Sequence, residues 1–342
     1  MKNLFRATAA VCAIGAIAIT AGCATQGSNS SETVTIGMVS RTTLTWAPHL
    51  AAEGQGFLDD ELAAVEADWE VVEFPGGGPM TTALASGDVD FALLPMTAVL
   101  ALNAKSPGLA CVLVPSTGSA VVIIASTDYE HERGDDIAAF DGGNWGYSSE
   151  GSSGRVILEM LAQDAGLSWG DQTGIALGAA VANEPALTAG RVDILSSDPV
   201  GAQAAIEKGT GYVVVNTNDP QDPQFPYPHA GQCLATSRAM IDEKPELVQA
   251  VVDAELAGLN SVKENLESAE DVIALFPELD EGTWDPAEWQ LVAPSFVETD
   301  GAASDATFSE SRELAQRLYE VEISDDVVDS SFDLTFAEKS AG

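Results

Sequence analysis

Positive charge is scarce in this chain. Of 342 residues only 14 are Lys or Arg, against 53 Asp and Glu, which leaves a formal net charge of −39. That excludes a nucleic-acid binder, whose affinity comes from cations that neutralise phosphates. It also makes each cation near a candidate site informative. Aromatic residues amount to 6%, and the three histidines, His49, His131 and His229, lie far apart with no metal-ligand spacing. No GxSxG elbow, HExxH pair, GxxxxGKS phosphate loop or GxGxxG turn occurs, so the chain reads as no enzyme and calls for no cofactor and no metal. The four cysteines form no CxxC pair and no closely spaced framework. Past residue 22 no apolar run approaches the roughly 20 residues of a bilayer span. What remains is 46% hydrophobic, enough to bury a core despite the charge, in a length that suits one or two folded units.

The first residues read as an export signal. Lys2 and Arg6 form a short positive region, and Ala9 to Ile19 an apolar stretch of signal-peptide length. Thr20-Ala21-Gly22-Cys23 resembles the bacterial lipobox, with Thr20 where Leu is usual. The expectation is that residues 1–22 are removed and that Cys23 is lipidated, anchoring an exported protein to the membrane of the cell envelope. Ordinary cleavage nearby is the alternative. Residues 23–32, rich in Gly and Ser, read as a flexible tether. Only Cys111 and Cys233 remain beyond it, each in an apolar, strand-like run. Two buried thiols is the simpler reading, with a disulfide as the alternative in an exported protein.

Short apolar runs then alternate with amphipathic helical ones. Strand candidates are residues 33–39, 69–74, 90–94 and 110–115, then 120–126, 144–147, 175–180, 193–196 and 211–216, with a mostly helical tail from Pro245. Such alternation implies an α/β architecture with sheets covered on both faces. An internal echo divides it: Ala83-Leu84-Ala85-Ser86-Gly87-Asp88-Val89-Asp90 recurs as Ala186-Leu187-Thr188-Ala189-Gly190-Arg191-Val192-Asp193. Both copies read as a helix stopped by Gly, followed by a strand that Val-Asp opens. Two similar lobes follow from this.

Several ordered motifs resemble one family. Ala47-Pro48 with Ala51, Gly54-Gln55-Gly56-Phe57-Leu58, the two echo segments, Asp198-Pro199, and Lys244-Pro245-Glu246-Leu247-Val248 are similar to ABC-transporter periplasmic solute-binding proteins of the nitrate/sulfonate/taurine/thiamine-precursor group. The resemblance covers residues 33–265 and then fades. It implies a periplasmic-binding-protein type II fold, two α/β lobes joined by a two-crossing hinge: residues 33–115 and 232–335 in lobe 1, 120–227 in lobe 2, and 116–119 with 228–231 as the crossings. It further implies a small-molecule ligand in the cleft, and ABC permease and ATPase subunits as partners.

The loops opening on such a cleft supply candidates. Ser149, Ser152 and Ser153 precede a helix whose free N–H groups and positive dipole end suit an anion, and the resemblance places ligand-contacting serines here; capping their own helix is the alternative. Arg41, Thr42, Thr43 and Trp46 follow the first strand. Arg41 would offer a fork to a carboxylate, sulfonate or phosphate, and Trp46 a stacking wall; otherwise they are a surface cation and a core ring. Gly77 allows close backbone approach, Met96 and Thr97 end the third strand, and Asp198 is either a hydrogen-bond acceptor for a ligand N–H or the cap of the helix after it. A sulfonate-, taurine- or nitrate-like anion is the leading ligand. A heteroaromatic such as a pyrimidine is the runner-up, and a sensor feeding a membrane receptor would use the same cleft.

Overall fold

The computed structural model describes residues 32–39, 41–74, 76–150, 152–178, 182–276 and 284–340. The expected signal segment, Cys23 and nearly all of the tether lie outside the described residues. Among the described residues there are ten strands: β1 (Glu32–Met38), β2 (Ala67–Glu73), β3 (Phe91–Pro95), β4 (Leu109–Ser116), β5 (Val122–Ser126), β6 (Asn144–Tyr147), β7 (Thr173–Ala176), β8 (Ile194–Ser197), β9 (Gly211–Asn216) and β10 (Gln232–Ser237). They form two five-stranded sheets, ordered β2-β1-β3-β10-β4 and β7-β6-β8-β5-β9. Strand β4 and strand β5 are buried along their whole length, as continuous apolar runs between helical layers should be. This is the α/β, two-lobed fold expected.

The two sheets repeat one plan. In each, the first two strands to pair run parallel, and the strand that arrives directly from the other sheet, β10 or β5, takes fourth place and runs antiparallel to its neighbours. The sequence echo falls on equivalent elements, the helix and loop leading into β3 and into β8. Gly87 and Gly190 take positive φ, 79° and 62°, and end their helices. Asp90 Oδ2 accepts from the backbone N of Thr35 at 2.8 Å, and Asp193 Oδ2 from that of Asn144 at 2.9 Å. The return bonds, from Asp90 N to Thr35 O and from Asp193 N to Asn144 O, also match. Each aspartate thus clips the start of one strand to its parallel neighbour, and Thr35 and Asn144 belong to the equivalent strands β1 and β6.

Two chain crossings lie against one another between the sheets. The Gly118 N–H donates to Pro228 O at 3.2 Å, and a Cβ placed on Gly231 would come within 2.0 Å of Ser116 O, so only glycine permits that approach. Later segments also touch both halves. Leu291, in the turn of helix Trp289–Val292, packs into the core of the second sheet, and Asn216 Nδ2 donates to its carbonyl. Helix Asp305–Tyr319 places Leu314 in that second-sheet core and Ala315 beside Leu100 of the first lobe.

One reading is corrected here. Cys111 and Cys233 are not two free thiols; they are joined in a disulfide with Cα atoms 5.6 Å apart. The apolar run around Cys233 becomes β10, which inserts beside β4 and so brings together two residues 122 apart in sequence. A linear pattern of apolar runs holds no record of that insertion.

Candidate functional site

Between the sheets lies a cleft of about 820 Å³, within the range of sites for small organic ligands. Its walls come from both halves and from the hinge. The first half supplies Gly76, Gly77 and Gly78, Thr81 and Thr82 on the following helix, and Pro95 with Thr97 at the end of β3. The second supplies Ser148, Ser149, Ser152 and Ser153, between β6 and its helix. Ser119 from one crossing and Ala230, Gly231 and Gln232 from the other close the back, and Leu318 with Tyr319 reach in from the C-terminal helix.

Three helices begin at this cleft: Gly77–Ser86, Met96–Asn103 and Ser153–Asp164. Each presents the positive end of its dipole and N–H groups with no intrahelical partner. At the third, the Ser152 hydroxyl is fully engaged. It accepts from Arg155 N at 3.2 Å and donates to Ser149 O at 2.8 Å, so it caps its own helix. The Ser153 hydroxyl has no partner among the described residues and is free to donate.

The charge of the lining is unlike that of the chain. Although 53 of 342 residues are acidic, none of the 23 that line the cleft is. Nine of those 23 carry hydroxyls. The single charged group is Lys105, which is exposed and has no carboxylate partner among the described residues. Tyr319 is partly exposed at the cleft mouth, with protein packed around the rest of it. The desolvation from that packing pushes its ionisation up, and a hydrogen bond with Thr97 pulls it partly back.

Gly77, Thr97, Ser149, Ser152 and Ser153 are thus brought together, whereas the remaining candidates stand elsewhere. Arg41 is committed to Glu53, with Nη2 and Oε2 2.5 Å apart, and does not line the cleft. Trp46 is buried in the core of the first lobe, so it offers no stacking wall. Met96 is fully buried, with its sulfur 3.9 Å from the Ser311 hydroxyl. Thr42 is exposed away from the cleft. Asp198 accepts from Gly201 N at 2.7 Å, the bond of a helix cap, and its carboxyl is pushed up by desolvation. The Thr43 hydroxyl donates to Glu288 Oε1 at 2.8 Å. Glu288 is buried, and that desolvation raises its pKa to about 7; bonds from Thr43 and Leu44 N oppose the rise, and the charges of Asp198 and Asp285 add to it.

Lys105 and Gln232 are among the lining residues that sequence reasoning missed, as are Thr81, Thr82, Ser119 and Tyr319. Lys105 stands just past the end of helix Met96–Asn103, whereas the candidates Met96 and Thr97 stand at its start. Its signal was available in the rarity of cations in this chain.

A family model, described as the NMT1-like family, matches residues 27–276. No curated protein matches the chain. Among solved structures, the periplasmic aliphatic sulphonate binding protein of Escherichia coli is similar with a TM-score of 0.66 at 19% identity, over 85% of this chain and 93% of that one. The periplasmic nitrate-binding protein of Synechocystis PCC 6803 gives 0.65 at 13%, over 91% and 89%. A Candida albicans protein described as having the generic periplasmic binding protein fold gives 0.63 at 15%, over 89% and 96%. At these identities the likeness is one of fold.

Proposed function

This chain belongs to the NMT1-like family, and from that premise we propose that it is the substrate-binding lipoprotein of an ABC importer, which captures a small organic anion in the cleft and delivers it to permease subunits. The observation that carries the anion is the lining: three helix N-termini, free hydroxyls and one unpaired lysine, with no carboxylate, in a chain that is otherwise dense with them. A sulfonate, with three acceptor oxygens and an apolar body, suits this set and the 820 Å³ volume better than a bare inorganic ion. The similar structures named for sulfonate and nitrate binding point the same way. Lipidation of Cys23 keeps the protein at the membrane surface where a permease would meet it.

The test is a titration of the protein with short alkanesulfonates, nitrate and amines by calorimetry at low and at physiological salt. Sulfonates should bind, more weakly as salt rises. Lys105→Ala should weaken them roughly tenfold or more, the usual effect of losing a hydrogen bond to a charged group. Binding that ignores both salt and Lys105 would remove the anion reading.

A further inference from the structure

The wall of the cleft at the hinge holds a side-chain amide that the protein itself does not use. Gln232 opens β10, directly after the second crossing, where it is paired with Pro95 on one side and Ser116 on the other. It is only 3% exposed, yet it lines the cleft, and its side-chain oxygen and nitrogen have no partner among the described residues. Neither atom is sealed from the cleft, so solvent can pair them there, and a ligand that displaces the solvent must replace those bonds or strand the amide. Its position is also fixed: the next residue, Cys233, is covalently tied to β4.

The amide differs in kind from the other polar groups around it. Hydroxyls rotate to donate or accept as needed, and Lys105 only donates. The Oε1 of Gln232 is the one side-chain acceptor on the lining that has no donor role of its own. A plain oxyanion satisfies the donors of the cleft and leaves that oxygen unmatched once water is displaced. A ligand with its own O–H or N–H satisfies both.

We propose that Gln232 is a specificity-determining residue, and that the solute is an organic anion bearing a hydrogen-bond donor in addition to its charged head. This rests on the anion reading above and narrows it. Sites built around a buried polar group discriminate strongly against analogues that lack its partner, because the group is then stranded.

The experiment compares ethanesulfonate with 2-hydroxyethanesulfonate by calorimetry. The wild type should bind the hydroxylated compound roughly tenfold or more tightly. Gln232→Met, close in size and without the amide, should bring the ratio to about one, chiefly by weakening the hydroxylated compound, while both remain sensitive to salt and to Lys105→Ala. Gln232→Ala carries the same expectation should the Met variant melt early. A wild-type ratio near one, which needs no variant, overturns the proposal while leaving the anion reading standing. So does a ratio that survives loss of the amide. Failure of the anion reading looks different: neither compound binds, or binding ignores salt and Lys105, and the role of Gln232 falls with it.

Discussion

A carboxylic acid that holds its proton near neutral pH is an uncommon thing to place where two halves of a molecule meet. Glu288 does so because it is removed from water and set near Asp198 and Asp285, while Thr43 and Leu44 bond to its oxygen. With a folded pKa of about 7, well above the roughly 4.3 of an unfolded glutamate, the native state binds the proton more tightly over that interval. The stability this contributes is complete below the lower value and is lost as pH rises through 7, by an amount on the order of 3 kcal/mol. Glu288→Gln keeps an acceptor for Thr43 and Leu44 but does not titrate. Its melting temperature should exceed the wild type's clearly at pH 8 and much less at pH 5; an equal offset at both would contradict the account. Legibility at this scale was uneven. The scarcity of cations rightly made each one worth locating, yet Arg41 drew attention because it follows a strand. Its engagement by Glu53, twelve residues on, depends on how a loop folds back over helix Ala47–Gly54. Ser153 was readable because strand, serines and helix lie consecutively.

Among the elements, helix Asp305–Tyr319 ties the halves together. A capping box of Ser304 and Thr307 starts it. Near its end, Arg317 holds Asp164, at the end of the Ser153 helix, through two bonds of 3.1 Å, and meets the Tyr227 hydroxyl at 3.0 Å. Since Ser311 and Ala315 pack on the first lobe, the arginine spans the gap. Such a partly exposed pair is worth up to about 1 kcal/mol, so Arg317→Ala should shift the balance between open and closed forms by up to about fivefold. Scattering should show a larger radius of gyration without ligand, and stopped-flow a faster ligand release; neither changing would mean the helix exerts no hold. The strands were legible because alternation and apolar runs are local, and β6 and β9 fall at the expected residues. The helical tail was expected too, but that this helix bridges the halves was not, because the partners Met96 and Asp164 lie some 150 to 215 residues earlier in the chain.

At the scale of the whole molecule, the repeated sheet plan was foreshadowed by the echo, and its physical content, an aspartate clipping one strand to the next, emerged only with the pairing. The strong negative charge repels anions at long range, a repulsion that salt screens within about 8 Å at physiological strength, leaving the cleft's own donors to decide. For the anchor, Cys23→Ser should move the protein from the membrane fraction to the soluble one, and a variant that stays with the membrane would contradict lipidation. The disulfide reaches further than its two neighbouring strands. Because Cys111 and Cys233 stand on either side of both crossings, all of strands β5 to β9 lies within one covalent ring closed at its neck. A protease that nicked the second sheet anywhere would still leave a single molecule, and that sheet, even when locally unravelled, could stray from the first no further than the loop allows.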